Sequence, residues 1–385
     1  MRILFSFTGG HGHLEPLLPI ARAASAGSHD VAVAGGHRQL EALAGAGLRT
    51  FPLGPRPTAA PRTRLPLLEV DVERERNDVR ERFVRRHARN RVSQAAPLLR
   101  EWRPDAVVCD EMDYGTLLAA ELADLPYAAV LVNASGSMIT SDVVAEPLDE
   151  LRAEHGLPRV PLEAMLARHL VLSPFPPSLP EPGLALPEQA FPFRAVTVER
   201  SDGKPPWPVA RPDRPSVYFT LGTEFNVESG DLFARVLAGL RELPLNVVAT
   251  LGNDIDPVEL GPHPAHVHVA RFIPQTQVLR HCAAVVSHGG SGSILGALAH
   301  GLPQVLIAMG ADQPLNAARC SELGLAVTLD PVSATPDDVC AAVTAVVGDP
   351  SYKHAAERMR AEIEALPEPA QAVTALEDTV ARFRG

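Results

Sequence analysis

Short apolar runs, each bounded by glycine, proline or a charge, recur along this chain at regular intervals. In the first half they are Ile3–Phe7, Asp30–Ala34, Leu48–Pro52, Asp105–Asp110, Tyr127–Val132 and Leu170–Ser173. Between them apolar residues fall at helical spacing, over Leu14–Ala26, Arg38–Ala46, Glu73 through Leu99, and Tyr114–Leu122. Buried strands alternating with amphipathic helices predict a parallel sheet covered by helices on both faces. The rhythm starts again at Ser216. Its strands are Val217–Leu221, Asn246–Thr250, Val267–Ala270, Ala283–Ser287, Gln304–Ile307 and Ala326–Leu329. Its helices are Leu232–Arg241, Thr276–His281, Ser291–His300, Asn316–Leu323, Pro336–Val347, Ser351–Leu366 and Gln371–Arg384.

Three stretches break the pattern. Gly54–Leu65 is a polar, proline-rich insert, Gly136–Arg168 an irregular stretch read as a helical insert, and Pro174–Pro215 is dense in proline. The tail of the last, 197–215, reads as an interdomain linker. The expected architecture is α/β, with two doubly wound Rossmann-like domains whose parallel sheets face a central cleft. The expected domains are 1–196 and 216–385, with the last helix, about 371–384, packing back on the first.

The stretch Ser287-His288-Gly289-Gly290-Ser291-Gly292-Ser293 runs from a strand through a glycine turn into a helix. Backbone N–H groups at a helix start are unpaired, and the helix dipole adds partial positive charge. A diphosphate is the natural guest there. Glycine lets the backbone approach its oxygens, and His288 can donate to them. A plain turn in an α/β unit would look similar. Thr8-Gly9-Gly10-His11-Gly12-His13 forms a second glycine-rich turn, after the first strand.

The chain has 385 residues and 46 % apolar content, enough for two cores. The formal net charge of −11 argues against nucleic acid as a partner. The arginines between Arg74 and Arg91 are interleaved with Glu73, Glu75, Asp78 and Glu81 and read as a solvated helix face. Cys109, Cys282, Cys320 and Cys340 form no C-x-x-C pair, so neither zinc nor a disulfide framework is indicated. No apolar run reaches the length of a membrane span, and the expected location is cytoplasmic. A homodimer is the self-association the sequence leaves open.

Together with Thr220-Leu221-Gly222-Thr223, Arg271-Phe272-Ile273-Pro274-Gln275 and the loop Gly310-Ala311-Asp312-Gln313-Pro314-Leu315-Asn316, these turns in this order resemble the inverting glycosyltransferases of the GT-B fold that use UDP- or dTDP-sugars. Within that group the chain is most similar to actinobacterial enzymes that glycosylate antibiotics, macrolides and other natural products. The resemblance spans essentially the whole chain. It is strongest over Val217–Val327 and weakest over Pro55–Arg103 and Gly136–Pro215, the segments that shape the acceptor pocket in such enzymes.

The resemblance implies roles residue by residue. A base that titrates near neutral pH suits activation of a hydroxyl, and the family's histidine three residues before a proline is His13 here. His11 is a neighbouring rival. Asp110, at the end of its strand, matches the family's acid and would orient His13. Asp113 suits a helix cap better, and Glu111 is a second neighbour. Gly222 and Thr223 would lie near the diphosphate with His288, Gly290, Ser291, Gly292 and Ser293. Phe272 would lie against the pyrimidine, where many relatives carry tryptophan, with Ile273 and Gln275 at its edge. Asp312 and Gln313 would bind sugar hydroxyls, and Asn316 would cap the next helix or reach a phosphate. Gly12, Phe83 and Met138 are candidates for the acceptor pocket.

Asp254-Ile255-Asp256 is a D-x-D, a pattern that holds a divalent metal in other glycosyltransferases. Between Gly252-Asn253 and Pro257 it reads as a surface turn, so no metal and no cofactor beyond the nucleotide-sugar co-substrate is expected. The expected reaction is metal-independent, inverting transfer of a sugar to a hydroxyl of a small hydrophobic aglycone. The alternatives are a nucleotide-sugar epimerase of the same fold, a dinucleotide-binding dehydrogenase and a non-catalytic binding protein. The first turn lacks the third glycine of the dinucleotide fingerprint, which argues against the dehydrogenase.

Overall fold

A computed structural model describes residues 1–45, 47–56, 65–184, 186–187, 190–196, 198, 203–223 and 226–385. The chain divides into two compact units. The first comprises Met1–Ala59, Glu73–Ala195 and Leu366–Gly385; the second comprises Ala60–Val72 and Val196–Ala365.

In the first unit the chain runs β1 (Arg2–Ser6), α1 (His11–Leu14), α2 (Leu18–Ala26), β2 (Asp30–Gly35), α3 (His37–Ala44) and β3 (Arg49–Pro52). A long helical run follows. It starts as α4 (Val72–Asp78), widens to π winding over Val79–Ala88 and continues as α5 (Arg89–Trp102). Then come β4 (Ala106–Asp110), α6 (Tyr114–Leu122), β5 (Tyr127–Val130), α7 (Ser141–Glu154), α8 (Leu162–Leu166), β6 (Leu170–Ser173) and β7 (Ala190–Pro192). The strands form a parallel sheet in the order β3-β2-β1-β4-β5-β6-β7. Every residue of β4 and β5 is buried, as strands covered on both faces require.

The second unit runs β8 (Ser216–Thr220), α9 (Leu232–Leu240), β9 (Asn246–Thr250), β10 (Val267–Ala270), α10 (Gln275–Leu279), β11 (Ala284–Ser287) and α11 (Ser291–Ala299). It continues through β12 (Gln304–Leu306), α12 (Gln313–Glu322), β13 (Ala326–Thr328), α13 (Pro336–Gly348) and α14 (Pro350–Glu364). Its sheet is parallel too, in the order β10-β9-β8-β11-β12-β13. Phe219, Phe233, Val247 and Val286 lie in one core, while Trp207, Tyr218 and Val285 lie in another.

Two excursions depart from a simple division near residue 196. The segment 65–72 sits with the second unit: Leu65 exchanges backbone hydrogen bonds with Val227 and Gly230, at 2.7 and 3.2 Å. Leu67 packs on the second unit's core. The last helix, α15 (Pro369–Arg384), belongs to the first unit, where Ala372, Val373, Leu376 and Val380 join its core. Arg384 pairs with Asp105, and Arg194 with Glu368. Part of the linker expected at 197–215, and 57–64 of the polar insert, lie outside the described residues.

The arginine-rich helix is more than a solvated face. Arg80, Arg85 and Arg89 pair with Glu146, Glu150 and Glu154, one helical turn apart on α7. Exposed pairs of this kind each contribute at most about 1 kcal/mol. Beneath them Arg152, 1 % exposed, is bidentate to Glu121 at 2.8 and 2.9 Å. Removing one member of a buried pair costs about 3–5 kcal/mol, so this pair fixes where α7 sits. The four cysteines are free thiols; Cys109 and Cys320 are buried. No helix among the described residues is long and apolar enough to cross a membrane.

Candidate active site

Each sheet reverses strand order at its centre, between β1 and β4 in the first unit and between β8 and β11 in the second. Crevices at the carboxyl ends of such strands are where ligands bind in doubly wound sheets. His13 and Asp110 follow or close β1 and β4, and Thr223 and His288 follow β8 and β11, whereas Phe272 and Gln275 follow the edge strand β10 and Met138 follows β5.

In the first unit the chain leaving β1 folds its histidines onto α1, a single helical turn rather than the open glycine turn expected over 8–13. His13 Nδ1 lies 3.1 Å from Asp110 Oδ1, and Asp110 is fully buried. The backbone N–H of Thr8 donates to Asp110 Oδ2 at 2.7 Å, and that of Met112 to Oδ1 at 2.9 Å. Burial pushes the Asp110 carboxyl up; the charge and hydrogen bond of His13 oppose this, and Asp113 adds to it. Gly9 has φ +77, and a methyl group there would lie 2.7 Å from His13 Cδ2, so glycine is what lets the ring sit down on the loop.

Phe83, on the π-wound segment, stacks over the His13 ring at 6.1 Å and 21°. His87 meets the edge of Phe83 at 5.7 Å. Gly12 is exposed and open. Met138 is buried in the turn after β5. Asp113 is the cap of α6, accepting the Thr116 N–H. Glu111 is buried and accepts the N–H groups of Val132 and Asn133, tying the ends of β4 and β5 together.

In the second unit the His288 ring lies between two glycines. A methyl group on Gly222 (φ +74) would come 2.7 Å from Cε1 and Nε2, and one on Gly290 would come 2.6 Å from Nε2. Burial pushes the His288 imidazole down to about 4, so it is neutral at pH 7, with one N–H to donate rather than a charge. Among the described residues Nδ1 is buried with no hydrogen-bond partner. A buried N–H lacking an acceptor is costlier than a buried lone pair, which favours the proton on Nε2, between the glycines.

α11 starts beside this ring, and Gly290 caps it with no side-chain hydrogen bond. Gly292 is exposed at its second position, and Thr223 is exposed after Gly222. Ser293 is half-buried in the same first turn.

The 310–316 motif departs from the loop expected. α12 starts at Gln313, so Gln313 and Asn316 are helical and buried, 2 % and 1 % exposed. Asn316 Nδ2 donates to Gly289 O at 3.1 Å, Ser291 Oγ at 3.2 Å and Asp312 Oδ2 at 2.7 Å. Ser291 donates to the same Asp312 oxygen at 2.6 Å. Asn316 therefore braces the turn that carries His288 instead of capping a helix. Gln313 Oε1 accepts the Met309 N–H at 2.9 Å.

Phe272 is 60 % exposed, unusual for a phenylalanine, with Ile273 buried behind it. Gln275 begins α10, and among the described residues its buried Nε2 has no hydrogen-bond partner. In the D-x-D turn, Asp256 caps the short helix Pro257–Leu260 and pairs with Arg271. Among the described residues no group of three or more histidine, cysteine, aspartate or glutamate side chains could hold a metal ion.

Residues 234–379 match the family model described as the C-terminal domain of erythromycin biosynthesis protein CIII-like proteins. Tylactone mycaminosyltransferase of Streptomyces fradiae is 29 % identical over 429 residues, covering 100 % of this chain and 93 % of that protein. L-demethylnoviosyl transferase of Streptomyces niveus is 30 % identical over 383 residues, covering 96 % of each. The crystal structure of the glycosyltransferase VinC in complex with dTDP superposes with a TM-score of 0.77 at 25 % identity, over 99 % of this chain and 100 % of that one.

Proposed function

This chain belongs to the natural-product glycosyltransferases of actinobacteria, and from that premise we propose that it moves a sugar from a dTDP- or UDP-sugar to a hydroxyl of a polyketide or other small aglycone, with inversion and without a metal. The observation that carries the reading is the His13–Asp110 pair at 3.1 Å, with the carboxylate fully buried behind the imidazole. His13 removes the proton of the acceptor hydroxyl as the oxygen attacks the anomeric carbon. Asp110 fixes the tautomer and stabilises the imidazolium that forms. Attack is opposite the leaving diphosphate, so an α-linked donor gives a β-linked product.

The second unit holds the donor. Phe272 offers an exposed ring to the base, and stacking of that kind is worth about 1–3 kcal/mol. The diphosphate meets Thr223, the His288 N–H and the first turn of α11, an arrangement of fixed dipoles aimed at the charge that develops as the bond breaks. Asp312, half-buried at the start of α12, would hydrogen-bond the sugar, a role for which Gln313 is less suited, being 2 % exposed with its Oε1 taken by the Met309 N–H. Metal independence is supported by Asp256, whose carboxylate is engaged by its own helix cap and by Arg271. On the acceptor side, Gly12, Phe83 and Met138 shape the pocket, and the Phe83 ring over His13 favours a flat or apolar aglycone.

The test is a set of reactions with dTDP- and UDP-sugars and polyketide aglycones in EDTA, with the product's anomeric configuration read by proton NMR. Inverted product in EDTA is expected. Retained configuration, or turnover that returns only with a divalent ion, contradicts the proposal.

A further inference from the structure

Behind the His13–Asp110 pair stands a second buried carboxylate, Asp113, 1 % exposed. Its charge raises the affinity of Asp110 for protons. A positive charge is supplied from α5. Arg91 Nε lies 3.5 Å from Asp113 Oδ1, and the arginine side chain is 11 % exposed. Its Nη2 donates to the carbonyl of Phe7 at 3.0 Å. Phe7 is the residue before Thr8, whose N–H binds Asp110. One guanidinium thus touches both the second carboxylate and the loop that serves the first.

The approach is built into the packing. A methyl group on Gly115 of α6 would fall 2.4 Å from Ala88 O and 2.5 Å from Arg91 Cβ. Only glycine lets the helix carrying Arg91 come this close to the turn at Asp113. Ser6 Oγ donates to Asp113 Oδ2 at 2.6 Å and Thr116 Oγ1 to the same oxygen at 2.8 Å, so the carboxyl is fixed in place as an acceptor.

We propose that Arg91 is a positioning residue for the His13–Asp110 pair: it anchors the loop that delivers the Thr8 N–H to Asp110 and offsets the charge of Asp113 behind it. The proposal rests on the reading of His13 as the base. The other titratable groups around the pair are Cys109 on β4, Glu111 in the following turn, Tyr114 on α6 and, across the Phe83 ring, His87. Burial keeps the Cys109 thiol and the Tyr114 hydroxyl neutral, raises Glu111 and lowers His87. Among the described residues, Arg91 is the arginine paired with Asp113.

The sign follows. Removing a cation raises the proton affinity of His13 and Asp110 alike, and they titrate as a unit. The measurement is a pH titration of the His13 ring by NMR on the full chain with labelled histidines, which needs no acceptor. Arg91→Met should raise the apparent pKa of His13 by about one unit, the size expected for a unit charge several ångströms away in a partly screened site. Arg91→Lys should leave it near the wild-type value. Asp113→Asn, which keeps the helix cap, should lower it, and Arg91→Met/Asp113→Asn should bring it back.

An unchanged titration in folded Arg91→Met overturns the proposal, as does a double variant further from wild type than either single one. If Arg91→Met does not fold, Asp113→Asn decides alone: a downward shift supports the proposal, and no shift or an upward one refutes it. Failure of the base assignment would instead appear as turnover surviving His13→Ala. That result leaves this titration untouched, so the two failures are separable.

Discussion

Replacing Gly222 by alanine tests the proposed donor site from the side of its backbone. Gly222 has φ +74, a conformation that costs an alanine about 1–2 kcal/mol. The new methyl group would stand 2.7 Å from both Cε1 and Nε2 of His288, well inside van der Waals contact. The ring cannot retreat toward Gly290, where a methyl group would already lie 2.6 Å from Nε2. His288 must therefore swing out of place. In the proposed donor site the N–H thereby lost is a hydrogen bond to a charged acceptor, worth about 1.5–3 kcal/mol, or roughly ten- to hundredfold in Kd. The assay is calorimetric titration with dTDP and UDP well below the melting temperature, so that backbone strain does not enter as unfolding. A double-mutant cycle isolates the mechanism. If Gly222 acts through His288, Gly222→Ala/His288→Ala binds no worse than His288→Ala. Wild-type affinity in Gly222→Ala, or further loss in the double variant, would refute the reasoning.

Phe272→Ala should weaken dTDP binding about tenfold or more while leaving the melting temperature nearly unchanged, because the ring is 60 % exposed; a calorimetric Kd and a melt on one sample check both. Asn316→Ala removes the donor that ties Gly289, Ser291 and Asp312 together; it should destabilise the fold by roughly 1–3 kcal/mol in urea titrations and weaken nucleotide binding as well. His288 is held at about 4, below its unfolded value near 6.5. The unfolded chain therefore takes up the proton first, and His288 removes stability as pH falls through 6.5 toward 4, by up to about 3 kcal/mol. His288→Gln should flatten that part of the stability–pH curve, and an identical slope in the two proteins would show that the imidazole is not held neutral.

The strands were legible in the sequence because each is a short apolar run closed by a glycine, proline or charge, and burial on both faces keeps such runs continuous. β7 was not, because Ala190–Pro192 lies in a proline-dense stretch and closes on proline; a sheet edge tolerates a residue that cannot donate. The start of α12 was misplaced to Asn316 because Asp312-Gln313-Pro314 reads as turn chemistry, yet proline is well suited to a first helical turn. Placing the segment 65–72 with the second unit depends on contacts between residues more than 150 positions apart, such as Leu65 with Val227, which no local pattern encodes.

At the site, residue types carried the information. Two histidines in glycine turns and an aspartate closing a strand pointed to the strand ends where each sheet reverses its order. The donors that complete the site did not show, since the Thr8 and Met112 N–H groups are backbone and look the same in any sequence. Arg91 was hidden among eight arginines, most of which face solvent or α7. Its distinguishing signal is Gly115, a glycine inside a helix where alanine would be the better helix former.

The central claim is that His13, backed by Asp110, is the base in a transfer whose donor site lies in the second unit. The most direct measurement is turnover of His13→Ala beside its affinity for dTDP, both in EDTA. General-base catalysis contributes about 10²–10⁴-fold, so turnover should fall by that factor while the dTDP Kd stays at the wild-type value. Turnover within a fewfold of wild type would contradict the account.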